Sequence, residues 1–153
     1  MGAPHEVLSF RPLLRDDQEQ LWRWLRIALW DPPPAALRPL EVLQSPGVRI
    51  YGEDWGRDTD IGLVAVVNGR DAGACWMRTL PEGIGFAFID ESTPQLGIAL
   101  EPQYQHRGFG GRLMKAALAA AWSAHCPQVS LTVHPENPAI ALYEGCGFSM
   151  VGF

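Results

Sequence analysis

The sequence predicts one α/β or α+β domain, a mixed sheet with helices interleaved. Three observations predict it. The chain has 153 residues and shows no internal repeat, low-complexity tract or linker that would divide it. Ile61 to Val67 is a continuous apolar, β-branched-rich run that meets Asn68-Gly69, a two-residue hairpin signal because both residues tolerate positive φ. In the second half a strand pattern, a glycine-rich stretch and an amphipathic helical pattern follow one another directly.

Taken in order, Val7 to Arg11 reads as a first strand. Asp16 or Asp17 then caps a helix, since a short side-chain acceptor satisfies free amides at a helix start. Leu21, Trp24, Leu25, Ala28 and Leu29 follow the spacing of one helical face. Asp31-Pro-Pro-Pro34 ends that helix, because proline has no N–H and disfavours helix in the residue before it. A shorter helix is expected over Ala35 to Leu43. After the hairpin turn, Ala72 to Thr79 is the return strand. Gly83 to Phe88 is a strand or an irregular segment, and Asp90 to Thr93 a turn. Leu96 to Leu100 is a strand stopped by Glu101-Pro102. A helix follows from Gly110 to His125, with Leu113, Met114, Ala117, Leu118, Ala121 and Trp122 as its apolar stripe. Val129 to Val133 is the next strand. Asn137-Pro138 caps and starts a short helix from Ala139 that ends near Gly145 or Gly147.

Composition narrows the function classes. The chain is 47% hydrophobic and 19% charged, ordinary for a soluble domain. A net charge of −5 with no concentrated basic surface argues against nucleic acid. It is an ordinary solubility charge that would also steer a cationic small substrate. Six tryptophans are many for this length, and indoles serve both cores and apolar pockets with a polar edge. Cys75, Cys126 and Cys146 are odd in number and form no C-x-x-C, so neither a disulfide framework nor a zinc site is expected. Met1 to Arg15 has no apolar signal core, Glu6 breaks the myristoylation pattern, and no stretch approaches the roughly 20 apolar residues of a membrane span. The expectation is a cytoplasmic protein without a metal.

The chemistry-bearing motif is Gln105-His106-Arg107-Gly108-Phe109-Gly110-Gly111-Arg112, set between a strand and an amphipathic helix. Glycines let the backbone bend and let an anion approach its N–H groups. The helix start adds unpaired donors and roughly half a positive charge. Arg107 and Arg112 are candidates for charge-assisted bonds to phosphate, and Phe109 is expected to pack under the loop. The motif is neither a Walker A loop nor a dinucleotide fingerprint.

Gln105-x-x-Gly108-x-Gly110 resembles the Q/R-x-x-G-x-G/A pyrophosphate loop of the GNAT superfamily of N-acetyltransferases. Leu96-Gly-Ile-Ala-Leu-Glu-Pro102 is similar to that family's fourth strand. Asn137-Pro-Ala-Ile-Ala-Leu-Tyr143-Glu-Gly-Cys-Gly147-Phe148 resembles its N-x-x-A-x-x-x-Y-x-x-x-G-F segment. The clear match runs from Pro94 to Phe148. The resemblance implies a mixed, mostly antiparallel sheet whose fourth and fifth strands splay apart, all within one domain over 1–153. Its acceptor-side helices would fall at about 16–45 and its acetyl-CoA-binding core at about 94–148. It implies pantetheine held by the strand backbone of Ile98, Ala99 and Leu100, and pyrophosphate held by the loop of Gln105 and the N–H groups from His106 to Gly111. Asn137 would cap its helix and touch the cofactor.

By the same resemblance the chain transfers acetyl from acetyl-CoA directly to a primary amine, with Tyr143 as general acid to the departing thiolate. Many family members place a glutamate base on the fourth strand; here that position is Gln95, which cannot take a proton. Glu91 is the candidate base, with Asp90, Glu101 and His134 nearby. The acceptor is expected to be a small cationic amine or a peptide amine. The first helices and their loops, with Trp22, Trp30, Tyr51, Trp55, Asp54, Asp58 and Asp60, are expected to build its pocket through cation–π and ionic contacts. A non-catalytic acyl-CoA-binding sensor or accessory module is the alternative, and an unrelated phosphate-binding protein the third reading. The sequence ends soon after Gly147-Phe148, so the last strand is short, absent, or completed by a second copy in a homodimer.

Overall fold

Alternation along apolar strands decides which residues face which layer. The computed structural model describes residues 6–81, 83–85 and 87–151. Four strands, β1 (Leu8–Pro12), β2 (Ile61–Val67), β3 (Arg70–Arg78) and β4 (Gln95–Leu100), form an antiparallel sheet in the order β1-β2-β3-β4. Helices α1 (Gln18–Ala28), α2 (Pro46–Arg49), α3 (Phe109–Ser123) and α4 (Ile140–Gly145) surround it. Asn68 and Gly69 turn the β2–β3 hairpin at φ 51° and 80°. Register runs from Val67 opposite Arg70 to Ile61 opposite Met77, with a bulge between Ala65 and Val66.

Both faces of the sheet are covered, which is why β2 and β3 read as nearly unbroken apolar runs. One face, with Ala65, Cys75, Met77, Leu96 and Leu100, packs on Phe109, Leu113, Met114, Ala117 and Ala121 of α3. The other, with Val64, Ala74, Trp76 and Ala99, packs on Leu21, Trp24 and Leu25 of α1 and on Trp55. Gly97 belongs to this second face. A Cβ there would stand 2.4 Å from the Trp76 indole nitrogen, so only glycine lets Trp76 lie flat on β4.

Several expectations are corrected. Asp17 sits at the N-cap of α1, but its carboxylate does not cap the helix. It accepts the Leu14 N–H at 2.8 Å and both Nη groups of Arg11 at 2.9 Å. No helix covers Ala35 to Leu43; Pro39 has no N–H to give, and the chain forms a 3-10 turn at Leu40–Gln44 followed by α2. Trp122 is exposed at 74% while Ala121 beside it is buried, so the apolar stripe of α3 ends at Ala121. Val129 to Val133 forms no strand. It makes one parallel bridge, Ser130 with Gln95, and then departs. Of Gly83 to Phe88, the described residues are irregular, and Phe86 lies outside them. Residues 149–151 form no strand, and 152 and 153 lie outside the described residues.

A buried ion pair fixes the loop between α2 and β2. Arg78, at the end of β3, bonds Asp60 at 2.9 and 2.8 Å and the carbonyls of Ile50 and Glu53 at 2.9 and 2.7 Å. Burial alone would raise the Asp60 carboxyl; bonds from Arg78 and from the Arg57 and Gly56 amides outweigh it and hold it below the usual carboxylate range. A depressed pKa adds stability above the unfolded value of about 3.9 that is lost as the pH falls through the folded value. Arg78→Met strands the Asp60 carboxylate and should cost about 3–5 kcal/mol by urea denaturation at pH 7. The Arg78→Met/Asp60→Leu pair should recover part of that loss, and the single variant's deficit should shrink below pH 4.

Candidate functional site

The site begins with the exposed edge of β4. In an antiparallel strand, alternate residues turn both backbone groups to the same side. The Ala99 carbonyl faces Gly73 of β3, and Glu101 donates its N–H to the Ala72 carbonyl at 2.8 Å. Leu96, Ile98 and Leu100 therefore turn outward. Leu96 N–H reaches the Ser130 carbonyl at 2.8 Å, and Ser130 N–H reaches the Pro94 carbonyl at 3.0 Å. Past that bridge residues 131–134 make no ladder, and β4 and the following chain part. Ile98 N–H and C=O and Leu100 N–H face the opening without a backbone partner among the described residues, while the Leu100 carbonyl accepts Gln105 Nε2 at 2.9 Å. Ala99 is a correction: its main chain is spent on β3 and its side chain is buried beneath α1.

The glycine loop closes one end of this opening. Gly108 occupies the N-cap of α3 at φ 83°, and His106 precedes it at φ 62°. The first four amides of a helix have no intrahelical partner. None of the N–H groups from His106 to Gly111 donates outside the helix among the described residues. Gly108 is exposed, and a Cβ there would meet nothing within 4 Å. Gly110 and Gly111 instead turn inward, toward Leu142 and, for Gly110, Leu100. Phe109 is buried beneath the loop, with its ring 6.5 Å from that of Tyr104. Arg107 departs from expectation. Its guanidinium pairs with Glu6, donates to the Gln103 carbonyl at 3.1 Å and lies over the Phe109 ring, so this side chain is already engaged within the protein. Arg112 is exposed on the first turn of α3.

Helix α4 sets Leu142 near Gly110 and Gly111 and carries Tyr143 beside it. The Asn137 carboxamide accepts the Ala139 N–H at 2.9 Å, starting the turn that leads into α4. At its end Phe148 N–H reaches the Tyr143 carbonyl at 3.1 Å and Gly147 N–H the Glu144 carbonyl at 3.0 Å, with Gly147 left-handed at φ 99°. This is a Schellman ending, and its usual apolar contact is the Tyr143–Phe148 ring pair at 6.2 Å. The Tyr143 ring packs on the α3-side core. Burial, with a smaller contribution from Cys75, pushes its phenol up to about 12.

No carboxylate meets this geometry. Gln95 is fully buried: its Oε1 accepts Tyr51 Oη at 3.0 Å and Ala87 N–H at 3.2 Å, and its Nε2 donates to the Ile84 carbonyl at 2.8 Å. It pins the 84–87 segment to β4. Glu91 stands exposed on the turn before β4 with no partner among the described residues. In the same turn Asp90 accepts Ser92 and Thr93, which hold its carboxyl below the usual range. Glu101 is taken by Arg23 at 2.6 Å and by Trp24 Nε1 at 3.2 Å. His134 Nδ1 accepts the Glu136 N–H at 3.0 Å, which engages the one acceptor nitrogen of its neutral ring.

The residues expected to build an acidic acceptor pocket are mostly engaged elsewhere. Trp55 is core, Asp60 is paired with Arg78, Tyr51 bonds Gln95, and Asp58 is exposed. An open groove of about 750 Å³ instead runs along α1 toward Pro102 and Gln105, and of the expected residues only Trp22 and Trp30 line it. Sequence reasoning missed its arginines. Trp22 and Arg26 stand one turn apart on α1, beside its core stripe, and Trp30 follows just past the helix end. Among the described residues no group of three or more His, Cys, Asp or Glu could hold a metal, and no helix is long and apolar enough to cross a membrane.

The family model described as acetyltransferase (GNAT) family matches residues 19–148. A mycothiol acetyltransferase of Nocardiopsis dassonvillei is 29% identical over 147 residues, covering 95% of this chain and 43% of the relative. The chain thus spans less than half the length of that curated relative. A GCN5-related N-acetyltransferase from Ralstonia eutropha JMP134 shares the fold at TM-score 0.71 and 20% identity, over 95% of this chain and 94% of that one. The aminoglycoside N-acetyltransferase AAC(6')-Iy, solved with CoA, matches at TM-score 0.64 and 18% identity, over 100% of this chain and 95% of its own.

The loop glycines differ in a testable way. Gly108→Val puts a branched side chain over the open amide at a left-handed φ, so acetyl-CoA affinity should fall at least about tenfold by titration calorimetry. Gly110→Ala meets only ordinary contacts, 3.7 Å from Leu100 and 3.9 Å from Leu142, and should bind within about threefold of the parent. Circular dichroism of both variants should match the parent.

Proposed function

Because the chain belongs to the acetyltransferase (GNAT) family, we propose that residues 1–153 form one acetyltransferase domain that moves an acetyl group from acetyl-CoA to the primary amine of a small acceptor. One observation carries this reading: the unpaired outer edge of β4 leads directly into an amide-lined glycine loop at the start of a 15-residue helix. That pair suits a ligand with amides along one stretch and a pyrophosphate at the end. Ile98 N–H and C=O and Leu100 N–H match an arm that alternates donors and acceptors, and the N–H groups from His106 to Gly111 match the phosphates. Gln105 holds the Leu100 carbonyl and so fixes the bend between edge and loop. Asn137 shapes the turn that carries α4 past the opening.

Acetyl-CoA supplies a thioester, whose C–S bond breaks as the amine nitrogen forms the new C–N bond. The chain's part is to orient both partners and to move two protons. Tyr143 gives its phenolic proton to the departing sulfur and is reprotonated from solvent. Its raised pKa keeps that proton in place across the neutral and mildly alkaline range. The proton lost by the amine goes to water. Glu91, exposed on its turn, accepts it only at second hand, so its removal should cost a few-fold at most. Three free cysteines suit a reducing compartment, in keeping with a cytoplasmic enzyme. A second reading, a non-catalytic acyl-CoA binder, is favoured by one feature: Gln95, at the strand position where a carboxylate base would stand, is locked into structural hydrogen bonds.

Thiol release from acetyl-CoA over an amine panel separates the two readings, since a pure binder releases none above background. Within the enzyme reading, Tyr143→Phe removes one hydroxyl and almost no volume. Steady-state kcat should fall by about 10- to 100-fold at saturating acetyl-CoA, with KM for acetyl-CoA nearly unchanged. The parent's pH profile should show no loss of activity through Tyr143 ionisation below pH 10. A Phe variant equal to the parent in kcat would leave Tyr143 a packing residue.

A further inference from the structure

The lining of the groove along α1 is richer in cations than the chain as a whole. Its lining includes Arg23, Arg26 and Arg49 against a single acid, Glu19, within a protein of net charge −5. Two of the three cations are neutralised. Arg23 is held by Glu101 at 2.6 Å, and Arg49 by Glu53 at 3.3 Å with its guanidinium over the Trp22 ring at 5.3 Å. Arg26 is different. Its Nε donates to the Arg38 carbonyl at 2.7 Å, and neither Nη has a partner among the described residues. Arg38 is in turn clamped by Asp31 at 2.9 and 3.0 Å, so the carbonyl that orients Arg26 is itself fixed. Here a half-buried guanidinium is turned and tethered while its two-pronged end is left unfilled. That end has the geometry of a carboxylate or phosphate clamp.

The remaining walls are apolar and aromatic, with Trp22 and Trp30 at the α1 side and leucines at 37, 40 and 43 opposite. The groove also adjoins the opening beside β4. Gln105, whose amide holds the Leu100 carbonyl, lines it at one end, and the Trp30 ring meets His134 edge-on at 5.6 Å, just past the unpaired 131–133 stretch. A molecule lying in the groove thus has an aromatic-lined bed, one free guanidinium, and an end beside the β4 opening.

We propose that the acceptor is an amine that also bears a carboxylate on an aromatic or branched apolar body, an amino-acid-like zwitterion, and that Arg26 binds that carboxylate. This rests on the acetyltransferase reading above. It replaces the expectation of a purely cationic acceptor, because the acids expected to attract one are exposed or paired elsewhere.

The test compares matched amines with and without the carboxylate, L-phenylalanine against phenethylamine and L-leucine against 3-methylbutylamine, by thiol release from acetyl-CoA. The expected result is a kcat/KM at least about tenfold higher for the carboxylate-bearing member of a pair. Arg26→Met should raise KM for the amino acid at least about tenfold while changing that of its partner amine several-fold less, and Arg26→Lys should restore part of the difference. Acetyl-CoA affinity of the Met variant, measured by calorimetry, should stay within about twofold of the parent's. Preference for the decarboxylated amines, or an equal effect of Arg26→Met on both members, overturns the proposal. So does weakened acetyl-CoA binding in the Met variant, which would give this cation to the cofactor's phosphates. If acetyl-CoA binds but no member of either pair is turned over, the acceptor class is wrong while the cofactor reading stands. Failure of the parent to bind acetyl-CoA at all overturns the acetyltransferase reading and this inference with it.

Discussion

Beyond the single bridge between Gln95 and Ser130, β4 has no backbone partner on its outer edge among the described residues, and the rest of the site is arranged around that gap. A backbone amide or carbonyl left unpaired inside a protein costs about 1–3 kcal/mol. A sheet normally avoids this by continuing. Here the chain after Ser130 turns away, leaving Ile98 and Leu100 with groups that only water or a ligand can satisfy. Ser130 is the pivot: its backbone closes the bridge, and its hydroxyl donates to the Ala87 carbonyl at 2.6 Å, so the strands part at a fixed point.

Everything beside the gap is braced from the two helical layers. On the α3 side Leu96 and Leu100 are buried against the helix whose first turn is the glycine loop, so loop and strand edge rest on one packed core. On the α1 side Glu101, at the end of β4, receives Arg23 and Trp24 from α1. That junction joins the groove to the loop, since Arg23, Pro102 and Gln105 all line it. Gln95 ties the other end of β4 to Tyr51 and to the 84–87 segment. Gln95 is thus a brace for this end of the strand.

The charged residues of the first half serve the fold before they serve a substrate. Asp17 and Asp71 share Arg11, and Asp60 is consumed by Arg78 in a pair with side-chain exposures of 2% and 1%. An acid in the sequence reads as a free negative charge until its partner is known. Asp60 and Arg78 are 18 residues apart, on the two sides of a hairpin, and only the β2–β3 register brings them together. The same holds for Trp55, which closes the α1-side core instead of lining a pocket.

The sequence by itself determined what depends on local pattern. The β2–β3 hairpin, the strand–glycine–helix unit from Gln95 to Ser123 and the Asn137-to-Phe148 helix with its glycine ending all follow from spacing and from residues suited to one backbone geometry. The loop positions from Gln105 to Gly111 were legible for that reason. The tertiary structure decided what depends on pairing across distance. Where the strand edge stops, and so which of Ile98, Ala99 and Leu100 faces the opening, follows from the β3 register and the single bridge at Ser130. Which charges remain free follows from which oppositely charged groups the fold delivers to them. Arg26 is left over because its neighbours Arg23 and Arg49 found carboxylates and it found a carbonyl. Periodicity carries the direction of a side chain relative to its own element; it carries nothing about what another element, tens of residues away, will set against it.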